Sequence, residues 1–257
     1  MPLPRYPALR VLSAIRRGSS SPVIAATSGG RFVTKLRGAA QGVLPLVAEV
    51  VVGDLATRLG LAVPERVLIE LDAETPSDDR NDELADLLAR SRGTNLGLRY
   101  LDGATDFVPA RSRPPDADVR ARILWLDGLV MNLDRTPRNP NVLVWNHQPW
   151  LIDHGAALGF HYRFGDVTEQ SPREPDFDVA GHLFASTAEA LPGIDDECAR
   201  ALGRDELTAA LSRVPDTFLE PAFPRDDLKR VREAYVAFLW KRLKPPRPFV
   251  EAALAAR

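Results

Sequence analysis

Cysteine is nearly absent, with Cys198 standing alone in a chain of 257 residues. A single thiol excludes an internal disulfide framework and fits a reducing compartment. Long apolar runs are missing as well, since no stretch approaches the ~18 residues that would mark a membrane-spanning helix. Arg5, Arg10, Arg16 and Arg17 lie scattered among apolar residues, with no compact apolar core and no small-residue cleavage site, so no signal peptide is expected. The expected location is the cytoplasm. Excess positive charge is lacking too: 33 Lys and Arg against 35 Asp and Glu leave a formal net charge of −2. That balance indicates no direct nucleic-acid or membrane partner. His147, His154, His161 and His182 match no structural zinc spacing, and one cysteine cannot complete such a set. Gly-x-Gly-x-x-Gly, the Gly-Lys-Ser phosphate loop, Gly-x-Ser-x-Gly and a Cys–His nucleophile pair are all missing.

What remains is ordinary for a globular protein and large enough for one big domain or two lobes. Residues 23–26 and 31–36 read as strands joined by Thr27-Ser28-Gly29-Gly30, with Lys35 on the second; residues 5–17 stay undecided between strand and helix. The apolar spacing of Val47, Val50, Val51, Leu55 and Leu59 predicts a helix over 44–59, with Gly60 as its left-handed end and Asp54–Arg58 as an outward pair. A strand over 66–71 follows, then an acidic, partly helical insertion over 72–92 and a strand over 96–101. Asp102-Gly103 is the expected hinge. A helix is predicted from Pro115 and Asp116 to about Met131, and further helices at 178–186, 194–202, 205–214 and 226–243. Strands early and helices late imply an α+β chain.

The densest chemistry lies at 132–155. Val142 to Trp145 and Trp150 to Ile152 are short apolar runs with turn residues 146–149 between them, which predicts a β-hairpin. With Trp145 facing Trp150, Val142 would face Asp153, bringing Asp134, Asn139, Asn141 and Asp153 to one end of a rigid scaffold. Asp134 and Asn139 have the Asp-x-x-x-x-Asn spacing of a kinase catalytic loop. Asp153-His154-Gly155 stands where such enzymes carry a metal-binding acid before a glycine. Taken singly, each of these residues also suits a turn. A kinase further needs a strand lysine for the α- and β-phosphates and a helical glutamate to hold it. Lys35 and Glu49 are the candidates, against the plainer reading of an exposed lysine and a first-turn acid. The small residues of Gly18-Ser19-Ser20-Ser21-Pro22 could let backbone N–H groups approach phosphate oxygens, or be only a turn.

The run from Asp134 to Asn141, together with Leu151-Ile152-Asp153-His154-Gly155, resembles the HipA-like kinases, bacterial proteins with an atypical protein-kinase fold. The likeness spans roughly residues 15–160 and is most specific at 134–155; Asn132-Leu133 stands where His-Arg precedes the catalytic acid in many kinases. It implies two lobes, a small β-rich one with one helix (1–101) and a larger, mostly helical one (102–257). It also implies ATP and Mg²⁺ as cofactors and Ser or Thr of a protein as acceptor. Asp134 would be the base, Asn139 and Asp153 the metal ligands, Lys35 the phosphate contact, Glu49 its orienter, and Ser19, Ser20 and Ser21 the phosphate cover. Two readings stay open beside it: a small-molecule kinase of the aminoglycoside or choline type, and a nucleotide-binding pseudokinase serving as a partner module. The oligomeric state is not legible.

Overall fold

The computed structural model describes residues 1–15 and 21–255. Strands β1 (Arg5–Pro7), β2 (Arg10–Ala14), β3 (Val23–Thr27), β4 (Gly30–Lys35), β5 (Arg66–Leu71) and β6 (Gly93–Arg99) form one curled sheet in the order β1-β5-β6-β4-β3-β2. Only β1–β5 is parallel; the other neighbours are antiparallel. Within the undecided segment 5–17, Arg5–Pro7 and Arg10–Ala14 thus become the two edge strands of the sheet. Period-two alternation sorts β5 onto two faces. Leu68 looks into the main core, while Val67, Ile69 and Leu71 join Val11, Val23, Phe32 and Leu36 in a second core. Helix α2 (Asp82–Arg90) adds Leu84 and Leu87 to that second core, so the 72–92 segment is more than an appendage.

Helix α1 (Leu44–Arg58) follows β4, as its periodicity predicts. It ends in a Schellman motif, in which Gly60 at φ +74° donates to Thr57 and Leu61 donates to Ala56. The expected outward Asp54–Arg58 pair does not form. Asp54 is buried and accepts instead from Arg66 of β5 at 2.8 Å and from Arg213 at 2.7 Å. Residues 45–56 of α1 are buried all round, so Asp54 faces the protein interior while Arg58, in the exposed last turn, faces solvent.

Helix α3 (Ala117–Val130) runs through the main core with Trp125 fully buried. The left-handed Met131 stops it. Downstream come α4 (Leu191–Ala201), α5 (Arg204–Ser212), α6 (Asp216–Leu219), α7 (Leu228–Leu243) and α8 (Pro248–Ala255). Residues 178–186 are bends leading into a 3₁₀ turn, not the expected helix. There the buried His182 ring and the backbone donors around it are committed to tertiary and local partners. Arg242 of α7 is wholly buried and donates to the carbonyls of Gly128 and Leu129, capping the open C-terminal end of α3. No helix among the described residues is long and apolar enough to cross a membrane.

A second, three-stranded sheet holds β7 (Thr105–Asp106), β8 (Val142–Trp145) and β9 (Gln148–Leu151). The hairpin exists, but its register differs from the expected one. Trp145 pairs with Gln148 and Val142 with Leu151, so the loop is only Asn146-His147. Both loop residues have positive φ, +48° and +62°, the geometry of a two-residue type I′ turn, whose twist matches that of the strands. Trp145 and Trp150 still meet edge to face at 5.2 Å, but as a diagonal pair. Asp153 falls beyond the ladder in the left-handed region at φ +55°.

Because glycine adopts the left-handed region without penalty and His147 is exposed, His147→Gly should stabilise the chain by about 0.5–1 kcal/mol. Urea unfolding measures this as a raised midpoint; a lowered one would mean that the histidine ring makes contacts that outweigh its backbone cost.

Candidate functional site

A cleft of about 460 Å³ opens where the sheet, α1 and the hairpin converge. Lys35, Leu36 and the 39–42 loop line one wall, Pro45 and Leu46 of α1 another, and Asp134, Asp153, Gly155 and Tyr162 the side opposite. Lys35 is the last residue of β4, and its side chain is buried. Its Nζ donates to Glu49 Oε1 at 2.5 Å and to Asp153 Oδ1 at 2.6 Å. Glu49 sits in the second turn of α1 and is also buried; the same Oε1 accepts the backbone N–H of His154 at 2.8 Å. One carboxylate oxygen therefore joins the strand lysine to the Asp153-His154-Gly155 turn. That turn lies tight on α1, since a Cβ on Gly155 would come within 3.1 Å of Pro45.

Asp134 enters from the loop after α3. Its Oδ2 accepts from Asn139 Nδ2 at 2.9 Å and from Asn141 Nδ2 at 3.1 Å. The structure therefore gathers Asp134, Asn139 and Asn141 directly, and sets Asp153 in the same cleft as Asp134. Ser21 is placed elsewhere. It lines a second cavity with Ile15, Asp79 and Glu83 and is not part of the Lys35 cleft. Ser19 and Ser20 lie outside the described residues.

Sequence reasoning passed over the groups behind the loop. Arg135 is fully buried; its Nε donates to Asp127 Oδ2 at 2.6 Å and its Nη1 to the carbonyl of Asn141 at 2.6 Å. Asp127, on α3, also accepts from Asn132 Nδ2 at 2.9 Å and meets His182 Nε2 at 3.0 Å. The only signal in the sequence was an acid on the buried stripe of α3, eight residues before an arginine that directly follows Asp134.

Burial disfavours the Lys35 ammonium, but Glu49 and Asp153 outweigh that effect and hold its pKa above the ordinary lysine value. Burial would raise Asp153, yet Lys35 holds it below the usual carboxylate range. Asp127 is likewise held low against burial by Arg135 and His182. Burial, reinforced at His154 by Arg135, pushes both His154 and His161 down to about 3. His154 is thus a neutral, packed ring. Because Lys35 is buried, Lys35→Ala is not neutral for stability. Removing the ammonium strands Glu49 as an unpaired buried carboxylate, a change of the class that costs about 3–5 kcal/mol.

Comparison with known proteins adds three findings. A family model described as HipA-like kinase matches residues 8–218. The crystal structure of the Helicobacter pylori proinflammatory kinase CtkA aligns with a TM-score of 0.52, covering 94% of this chain and 98% of that one at 11% identity. At that identity the likeness is one of fold. No curated protein sequence matches.

The two neutral histidines set an acid sensitivity. Their folded pKa lies below the unfolded value of about 6.5, so between pH ~6.5 and ~3 the unfolded chain binds protons that the folded chain does not. Stability is complete above that window and falls as pH drops through it. Urea unfolding at pH 6.5 and pH 5.0 should differ by roughly 3 kcal/mol for the pair, and His161→Gln should remove about half of the difference. Equal stability at both pH values would mean that these rings are protonated in the folded chain.

Proposed function

The chain belongs to the HipA-like kinase family, and on that premise we propose that it transfers the γ-phosphate of ATP, with Mg²⁺, to the hydroxyl of Ser or Thr in a protein. The observation that carries this is Lys35, held at once by Glu49 and Asp153 in a cleft that Asp134 also lines. In this reading residues 1–101 cover the nucleotide and residues 102–257 carry the catalytic loop, with Asp102-Gly103 between them, and the reaction runs in the cytoplasm.

The residues suit the roles. Asp153 is tied to Lys35 through Oδ1 while its side chain stays 42% exposed, so carboxylate surface is left for a hard cation. Asn139 turns Nδ2 toward Asp134, which leaves its carbonyl oxygen for the same purpose. An oxygen donor set of one carboxylate and one amide, completed by phosphates, is of the kind Mg²⁺ takes. Bound there, the ion would neutralise phosphate charge. Lys35 contacts the α- and β-phosphates, and Glu49 keeps it aimed. Asp134 orients the acceptor hydroxyl and takes its proton as the oxygen bonds to the γ-phosphorus and the bond to the β–γ bridging oxygen breaks, with ADP leaving. Such transfer depends on positioning and charge neutralisation.

The test is labelled transfer from ATP with protein alone, then with cell extract and with small hydroxyl metabolites, on wild type and two near-isosteric variants. Asp153→Asn should weaken Mg²⁺-dependent ATP binding and abolish transfer. Asp134→Asn should bind Mg·ATP like wild type and lose turnover by about 10²-fold or more. Normal turnover in both variants would end the kinase reading; labelling of a metabolite in place of protein would correct the acceptor.

A further inference from the structure

The reacting groups sit on two separate segments, the 134–141 loop and the 153–155 turn, and a single buried guanidinium touches both. Arg135 Nη1 donates to the carbonyls of Asn141 at 2.6 Å and Pro140 at 3.4 Å, which fixes the far end of the loop. Its Nη2 lies 3.3 Å from Nδ1 of His154, in the centre of the turn. Its Nε is clamped to Asp127, on the rigid α3. Asp127 also holds Asn132 through Oδ1, and Asn132 Oδ1 accepts the backbone N–H of Asp134 at 3.2 Å. One carboxylate on a core helix thereby anchors Asp134 from the front of its loop and, through Arg135, both the back of that loop and the neighbouring turn. Neither Asp127 nor Arg135 is exposed to the cleft; both have no accessible side-chain surface.

We propose that Asp127 and Arg135 form a positioning pair for phosphoryl transfer, fixing the separation between Asp134 and Asp153 without touching either substrate. The inference rests on the kinase reading above. A simple structural ion pair would need only one contact between two elements. Here the planar fork spends its separate N–H groups on a helix, a loop and a turn. Lysine, a point charge with a single nitrogen, cannot satisfy all three. A misplacement of about 1 Å at a reacting group can lower turnover on the order of 10²-fold.

The experiment uses the full chain with Mg·ATP and two readouts, phosphate release to water and label transfer to protein. Two variants are compared: Arg135→Lys, which keeps the charge beside Asp127, and the double change Arg135→Met with Asp127→Asn, which removes both charges together and leaves no unpaired one buried. Each is then combined with Asp134→Asn. Calorimetry measures Mg·ATP binding, which confirms that the cleft is folded. The expected result is Mg·ATP affinity within about threefold of wild type, kcat lower by at least about tenfold, and no further loss when either change is added to Asp134→Asn, because the pair acts through that residue. Losses that multiply with Asp134→Asn, or affinity falling in step with kcat, would assign the pair a structural role only and overturn the proposal. Wild-type turnover in both variants overturns it as well. A wild-type chain that shows neither readout fails the kinase reading itself, and this proposal with it.

Discussion

A lysine ammonium held away from water must be neutralised, and in this protein the two carboxylates that do so come from different elements. Glu49 is carried by α1 and Asp153 by the turn after β9, while Lys35 ends β4. Neither Lys35 nor Glu49 can stay buried without a partner, because an isolated ion in a low-dielectric interior costs several kcal/mol, and the half-exposed Asp153 adds a second carboxylate to the lysine. The sheet, the helix and the hairpin are therefore constrained to meet at one point. Their packing agrees with that constraint. A continuous core takes residues from β5, β6, α1, α3 and the C-terminal helices, so α1 is shared between the strand-rich and helix-rich parts. Asp54, with Arg66 on one side and Arg213 on the other, repeats the same bridging further along α1.

Two more buried cations are handled by a different device. Among the described residues Arg242 has no acidic partner in contact, and it satisfies its guanidinium with backbone carbonyls, among them those that α3 leaves open at its end. Arg135 divides its donors between one carboxylate and the carbonyls of the loop after α3. The end of α3, and the loop that starts there, are thus held by hydrogen-bond donors reaching in from distant parts of the chain. Irregular backbone can then be rigid without secondary structure.

Much of this was legible in the sequence, and for identifiable reasons. Helix α1, its glycine stop, the strand ending in Lys35 and the hairpin are all local: period, turn chemistry and β-branched runs act within a few residues. The Asp134, Asn139 and Asp153 pattern was readable because its spacing lies within one loop and one hairpin, and Glu49 because it is the acid early in the helix after Lys35. The hairpin register was missed because the pairing of two tryptophans looked like the strongest signal. The two-residue turn at Asn146-His147 set the register instead, and the tryptophans met on the diagonal.

What the sequence by itself determined was therefore the locally encoded elements, such as α1, its glycine stop and the hairpin, and the residues Lys35, Asp134 and Asp153 at the cleft; the helix expected at 178–186 and the place expected for Ser21 were not among them. Only the tertiary structure decided which charges are buried and what neutralises them. Asp54 left its helical neighbour Arg58 for Arg66 and Arg213, Lys35 acquired a second carboxylate 118 residues away, and Asp127 was paired with Arg135 beneath the loop after α3. The physical reason is desolvation. A charge near its sequence neighbour gains little in water, whereas a charge buried by packing must be paired with whatever the fold brings to it, and that partner has no fixed separation along the chain.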